Sequence, residues 1–135
     1  MTAMTILGSW TLPGVERSVA YARRFVGDLL GRDHPRLDDA LVVAGELVTN
    51  SIAHSRSGQG GFVTLALDGG PGRTVRIRVI DDGSDTAKPC VREDPYAENG
   101  RGLLIVQNLA DEWGVEIGAA ETTIWARLDF PDSAV

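Results

Sequence analysis

Residues 46–54 most constrain the fold, because polar groups recur there every four residues inside an apolar, helix-forming run. At about 100° per residue, Glu46, Asn50 and His54 fall roughly opposite an apolar stripe on the same helix. The stripe consists of Leu37, Leu41, Ala44, Val48 and Ile52, with Val42, Val43 and Leu47 flanking the polar row. A helix that is apolar nearly all round is normally buried. The pattern therefore predicts a polar row that faces a cavity or a ligand, with a solvated face as the alternative.

Composition excludes several classes of protein. A chain of 135 residues with a formal net charge of -6 lacks the basic surface that nucleic-acid phosphates require, so we expect no direct nucleic-acid binding. The single cysteine, Cys90, cannot form an internal disulfide or a cysteine metal cage, which fits a reducing compartment. The first residues show no basic start followed by an apolar core of 7–15 residues, and no later run approaches 18 apolar residues. We therefore expect one soluble, cytoplasmic domain over residues 1–135.

Hydrophobic periodicity predicts the elements of the first half of the chain. Residues 5–12 favour a strand, and Pro13 and Gly14 break it. Apolar residues at helical spacing from Val15 onward predict an amphipathic helix that ends at Gly31. A second helix is predicted from near Pro35 to about His54, followed by a flexible loop at residues 55–61.

The second half alternates between hairpins and a helix. Residues 62–68 and 74–80 alternate apolar and polar side chains, which predicts a hairpin with one face buried under helices. Residues 84–99 lack periodicity and are typical of a lid. A helix follows with Leu103, Val106, Ala110 and Trp113 in register, and then a second hairpin at 114–117 and 122–130, with Thr122, Ile124, Ala126, Leu128 and Phe130 on one face. This order predicts a two-layer α/β (α+β) sandwich.

Three short polar motifs lie in order along these elements. Glu46 and Asn50 are one helical turn apart, Asp81 and Gly83 follow a strand, and Gly100-Arg101-Gly102 opens a helix. Glycines at a helix start let backbone N–H groups approach a phosphate. Together the motifs resemble the N, G1 and G2 boxes of the GHKL (Bergerat-fold) ATPases. Over nearly its whole length, the chain resembles the stand-alone branch of that superfamily, which includes bacterial anti-sigma factor serine/threonine kinases.

The resemblance implies an ATP site with a role for each motif residue. Asn50 would ligate a Mg²⁺ ion that bridges the ATP phosphates, and Glu46 would act as general base toward the attacking hydroxyl. Asp81 would accept the hydrogen bond of the adenine amino group. The other residues implied at the nucleotide are Gly83 beside the base, Gly100, Arg101 and Gly102 at the phosphates, and Thr122 or Thr123 at a water that assists Asp81. ATP and Mg²⁺ are thus the implied cofactors, under a lid at about residues 84–101.

The resemblance also implies the Bergerat fold, in which helices cover one face of a mostly antiparallel sheet. Two positions depart from the family pattern. Asp85 stands where the G1 box usually has its last glycine, and Glu121 precedes Thr122 where the family usually has a Gly-Thr pair. Both departures bear on nucleotide affinity and on catalytic competence.

Three functions fit these observations. The first is a kinase that binds a sigma factor and phosphorylates a serine of a STAS-domain anti-anti-sigma protein. The second is a non-catalytic partner-binding regulator that uses nucleotide as a switch, or none at all. The third is the ATP-binding half of a sensor histidine kinase, which ranks last because neither His34 nor His54 lies on a plausible dimerisation helix. The family implies a homodimer, but no apolar stripe beyond the core marks an interface. For His54, capping or packing at the helix end is the simplest explanation.

Overall fold

A computed structural model describes residues 4–70, 73–83 and 101–131. Within them, the chain forms five strands, three α-helices and one short 3₁₀ turn. In chain order these are β1 (Thr5–Pro13), α1 (Ser18–Leu30), α2 (Leu37–His54), the 3₁₀ turn Arg56–Gly58, β2 (Phe62–Gly70), β3 (Thr74–Asp81), α3 (Arg101–Leu109), β4 (Glu112–Ile117) and β5 (Thr122–Asp129). The predicted order of helices and strands is confirmed. The predicted lid at 84–101 lies outside the described residues except for its last position.

The strands form one sheet with the order β1-β2-β3-β5-β4, and every neighbouring pair is antiparallel. The helices pack on one face of this sheet, with α2 in contact with both α1 and α3. The predicted two-layer α+β architecture is therefore confirmed. Of the three α-helices in the described residues, none has both the length and the apolar character needed to cross a membrane.

The core lies between the sheet and the helices. Alternate residues of the three central strands point into it, as the predicted strand parity requires. These residues are Val63, Leu65, Leu67, Val75, Ile77, Val79, Ile124, Ala126 and Leu128, each no more than 3% exposed. The parity prediction for β5 is thus confirmed, with Thr122 also buried and Phe130 partly buried just after the strand.

The other face of the sheet carries polar side chains, including one buried carboxylate. The side chain of Asp68 on β2 is 2% exposed and accepts hydrogen bonds from Arg76 Nε at 3.0 Å and Arg78 Nε at 2.6 Å. Both arginines lie on β3, and Arg76 is directly opposite Asp68 in the register. Two guanidinium groups therefore compensate the charge of a carboxylate that is shielded from water.

The buried face of α2 differs from the predicted stripe. The fully buried positions are Ala40, Val43, Ala44, Gly45, Leu47, Val48 and Ser51, whereas Leu37, Leu41 and Ile52 are only partly buried. The buried arc is rotated because α2 packs against two helices and the sheet at once. Glu46, Asn50 and His54 consequently lie along one edge of the buried face, each partly exposed, rather than opposite it.

Helix α1 begins later than the apolar spacing predicts. The Ser18 N–H donates to the carbonyl oxygen of Val15 at 2.9 Å, and the Ser18 hydroxyl donates to that of Pro13 at 2.6 Å. These bonds hold a turn in front of the helix, so Val15 stays outside it and is 38% exposed.

Helix α3 ends earlier than predicted, at Leu109. The Ala110 N–H still donates to the carbonyl oxygen of Val106 at 2.8 Å, but the Asp111 N–H donates to that of Arg127 on β5 at 2.9 Å. Trp113 therefore lies on β4, which begins at Glu112 rather than at 114. An apolar residue at helical spacing can equally belong to a following strand that faces the same core, and periodicity alone cannot separate the two cases.

Candidate functional site

Two predicted site residues are neighbours at one end of the sheet. Asp81 is the last residue of β3 and Thr122 the first of β5, and the register places them directly opposite each other. Both point toward the helices, and they are 6% and 9% exposed. Thr123 pairs with Ile80 and therefore points to the other face of the sheet. Of the two threonines proposed to assist Asp81, the geometry favours Thr122.

The carboxylate of Asp81 is held in a fixed orientation. Its Oδ1 accepts a hydrogen bond of 2.8 Å from the backbone N–H of Gly83. Burial raises the pKa of Asp81 above its ordinary value, and the backbone N–H of Gly83, the nearby Ser51 hydroxyl and the backbone N–H of Thr122 offset part of that rise. A desolvated carboxylate with few partners is a strong acceptor for a ligand N–H group.

Gly83 occupies a conformation that favours glycine. Its φ is +79°, in the left-handed region, and the residue is buried. A side chain there would be strained. The turn directs the Gly83 N–H back onto Asp81, so glycine at this position supports the orientation of the carboxylate.

Ser51 is a site residue that sequence reasoning missed. It follows Asn50 on α2 and is 1% exposed. Its hydroxyl contributes to the electrostatics of Asp81 and lowers the pKa of that carboxyl. Within the described residues, however, Ser51 Oγ completes no hydrogen bond of normal geometry. We infer that it lies beside the carboxylate, outside ordinary hydrogen-bonding geometry. The available signal was a small polar residue inside a buried helical run.

The segment after α2 ties the helix to the end of β3. The Ser55 hydroxyl donates to the Ser51 carbonyl oxygen at 2.5 Å, and the Ser57 N–H donates to Ser55 Oγ at 3.0 Å. Ser57 Oγ then accepts a 2.9 Å bond from the N–H of Asp82, next to Asp81. Ser57 is fully buried. The segment predicted as a flexible loop at 55–61 therefore contains a short 3₁₀ turn at Arg56–Gly58. We call the chain of hydrogen bonds through Ser55 and Ser57 the serine relay.

Helices α2 and α3 meet at two other predicted site residues. A Cβ placed on Gly102 would lie only 2.6 Å from Oε2 of Glu46. The Glu46 carboxylate thus rests against the α-carbon of Gly102, in the first turn of α3. The positive end of a helix dipole stabilises negative charge at such a position. Asn50 is one turn further along α2 on the same side as Glu46.

The remaining predicted site residues are described only in part. Gly100 and Asp85 lie outside the described residues, and Arg101 is the first residue of α3. Across the described ranges, no group of three or more His, Cys, Asp or Glu side chains is arranged to hold a metal ion. Asp81, Thr122 and Gly102 lie at the ends of β3, β5 and α3, and each of these elements contacts α2, the helix that carries Glu46. Gly83 follows two residues after Asp81.

Comparison with known proteins agrees with this architecture. The family model of the histidine kinase-like ATPase domain matches residues 12–128. Among solved structures, the RsbU and RsbW domains of Rv1364c from Mycobacterium tuberculosis are similar, with a TM-score of 0.66 and 20% sequence identity. The match covers 90% of this chain but only 32% of that chain, and at this identity it shows a shared fold. No curated protein matches the sequence. Because the family model spans most of its length, the chain belongs to the histidine kinase-like ATPase domain family.

Proposed function

We propose that the protein binds ATP with Mg²⁺ and transfers the γ-phosphoryl group to a serine of a STAS-domain anti-anti-sigma protein. A sigma factor would be its other partner. The observation that supports this most directly is the contact between Glu46 and Gly102, which joins the first and last of the three motifs. The middle motif, at Asp81 and Gly83, is tied to the end of the same helix α2 through Ser57.

Asp81 would recognise the adenine base. The buried carboxylate of Asp81, oriented by the Gly83 N–H, can accept a hydrogen bond from the exocyclic amino group of adenine. Guanine has a carbonyl oxygen in place of that amino group. Thr122, directly opposite Asp81, would support a bridging water. Because Gly83 has no side chain, the backbone there could approach the base closely.

Glu46 would take the proton of the attacking serine hydroxyl. As that oxygen bonds to the γ-phosphorus, the bond to the leaving oxygen of ADP breaks, and the proton ends on the Glu46 carboxylate. General-base catalysis of this kind contributes about 10² to 10⁴ in rate. The contact with Gly102 places the carboxylate beside the start of α3, where Gly100, Arg101 and Gly102 would bind phosphate oxygens.

Asn50 would hold the Mg²⁺ ion through its side-chain oxygen. The donor set fits this ion, since Mg²⁺ commonly takes one or two protein oxygens and completes its shell with phosphates and water. When bound, the ion would neutralise phosphate charge during transfer. The partly exposed position of Asn50, one turn from Glu46, leaves room for such ligands.

A second candidate is a regulator of the same fold that binds partners without catalysis. The observation that favours it is Asp85, which puts a carboxylate where the family pattern has a glycine. Both candidates bind partner proteins, but only the kinase transfers a phosphoryl group.

Calorimetric titration with ATP, in the presence and absence of Mg²⁺, is the first test because it needs no partner. Saturable binding that strengthens with Mg²⁺ is expected. Incubation with γ-labelled ATP and a purified STAS-domain protein then tests transfer, with a serine-to-alanine variant of that partner as the control. ATP binding without phosphoryl transfer to any STAS partner would favour the non-catalytic regulator. Absence of binding at millimolar ATP would overturn both the kinase and a regulator switched by nucleotide.

A further inference from the structure

A cavity of about 410 Å³ lies at the end of the sheet away from Asp81. Its wall includes Leu29 from α1, Thr74 and Val75 from the start of β3, and Phe130. Asp81 ends the same strand, so the cavity is roughly 23 Å from the candidate nucleotide site at 3.3 Å per residue. Cavities of about 300–1,000 Å³ with mostly apolar walls are typical of small-molecule sites.

A β-bulge shapes one wall of this cavity. The pairing of β1 with β2 shifts between Ile6 and Gly8, so one extra residue, Leu7, is turned into the wall. Leu7 remains 45% exposed, although it is a large apolar residue. Gly8 makes room for the neighbouring helix, since a Cβ there would be 2.9 Å from a methyl carbon of Leu29. The bulge thus places an apolar side chain at a surface that the described residues do not cover.

His34, in the cavity wall, carries a ring N–H donor that has no acceptor among the described residues. His34 Nδ1 accepts a 3.1 Å hydrogen bond from the backbone N–H of Arg36, so the ring proton is on Nε2. Nε2 is buried and has no hydrogen-bond partner among the described residues. Burial and the charge of Arg36 lower the pKa of His34, which keeps the ring neutral near pH 7. The ring packs edge-on against Phe130, with centroids 4.6 Å apart.

We propose that this cavity binds a small monocarboxylate with an apolar body, whose carboxylate accepts the hydrogen bond of His34 Nε2. A charged acceptor satisfies the buried donor better than a neutral carbonyl does, and the apolar walls take the hydrocarbon part. Nε2 is shielded from solvent, so binding in this way requires the ring of His34 or of Phe130 to turn and open Nε2 to the cavity. The inference stands independently of the proposed kinase function.

Hexanoate is a suitable probe, and the two histidines of the chain make the readout simple. Carbon-proton NMR of the imidazole rings, assigned with His54→Gln, follows each histidine during titration. We expect a saturable shift of the His34 ring with hexanoate and no shift of the His54 ring. Hexylammonium, which has the same apolar body but no acceptor, should bind at least about tenfold more weakly.

Two variants separate the roles of donor and cavity. His34→Phe keeps an aromatic ring and removes the donor, so hexanoate should lose its advantage over hexylammonium. Thr5→Trp adds bulk at an exposed residue of the wall and should weaken both probes. Backbone amide shifts of Val75 report binding in the variant that lacks His34. The proposal is overturned if neither ring responds to hexanoate, or if His34→Phe leaves the preference for hexanoate unchanged.

Discussion

The carboxylate of Glu46 lies against the α-carbon of Gly102, so closely that a Cβ there would be 2.6 Å from Oε2. This contact joins the middle of α2 to the first turn of α3. Only glycine lets the acid and the helix start approach this closely, which gives Gly102 a role that its residue type alone does not reveal.

Gly102→Ala should affect function more than stability. The clashing atom is the end of a flexible side chain, so the Glu46 carboxylate can move away, and alanine favours the helix by up to about 1 kcal/mol. We expect an unfolding free energy close to that of the unmodified protein and a clear loss of ATP turnover. Gly27→Ala is the matched control in α1, because its Cβ would make only an ordinary 3.8 Å contact with Leu41. Full ATP turnover in Gly102→Ala would show that turnover does not depend on the position of the Glu46 carboxylate against Gly102.

Glu46→Gln should separate binding from chemistry. The amide keeps the size of the side chain but cannot take up the proton, so turnover should fall by about 10² to 10⁴ while ATP affinity changes little. Calorimetry and a coupled ADP-release assay measure the two quantities. Glu16→Gln, an exposed acid on the segment before α1, serves as the control. Equal turnover in both variants would exclude Glu46 as the base.

ATP affinity should depend on pH through Asp81. Burial raises the pKa of Asp81, so the carboxyl takes up a proton at higher pH than an exposed aspartate does. The protonated form is a poorer acceptor for the adenine amino group, and affinity should fall as the pH is lowered through this raised pKa. Titrations of the Asp81→Asn variant at the same pH values control for protonation of ATP itself. A parallel pH dependence in both proteins would contradict the role of Asp81.

The same shift has the opposite consequence for stability. Between the ordinary and the raised pKa, the folded protein binds a proton that the unfolded chain has released, so the free energy of unfolding falls as pH rises through that window. Asp81→Asn removes this dependence. Denaturant unfolding at pH 7 should therefore show the variant to be at least as stable as the unmodified protein, even though it binds ATP less well. If Asp81→Asn were less stable than the unmodified protein at pH 7 and equally stable in acid, the contribution of Asp81 to the pH dependence of stability would have the opposite sign, which would contradict the prediction.

Ser57→Ala should loosen the end of β3. It removes the acceptor of the Asp82 N–H in a part-buried hydrogen bond, and the loss of such a bond costs about 0.5–1.5 kcal/mol. We expect that loss in chemical denaturation, together with weaker ATP binding because Asp81 is less firmly placed. Ser9→Ala, at an exposed position of β1, is the control. Unchanged affinity in a destabilised Ser57→Ala protein would limit the serine relay to a structural role.

The sequence predicted the elements and the parity of the strands, because alternation between buried and exposed side chains is a local property. The pairing of Asp81 with Thr122 could not be read in that way, since it depends on β5 returning to lie beside β3. Ser51 and Ser57 were missed for a related reason. Their hydroxyls matter only where α2 and its following turn meet β3, and serine in a loop is usually a surface residue.

The apolar periodicity of the sequence also could not predict that the buried face of α2 is rotated from the apolar stripe. Periodicity identifies apolar positions, but the packing partners decide which of them are covered, and α2 contacts α1, α3 and three strands. Trp113 illustrates the same limit, since its helical spacing continues past the end of α3 into β4.

Asp81, Thr122, Glu46 and Gly102 come from segments far apart in the sequence, and they form the candidate site only when β3, β5 and α3 have packed against α2. No excised fragment of the chain would carry the candidate site, so we expect nucleotide binding to be coupled to global folding. A ligand that binds only the native arrangement adds about 2.7 kcal/mol of stability at a concentration 100 times its Kd. We therefore expect the melting temperature of the whole chain to rise as nucleotide occupies the proposed site.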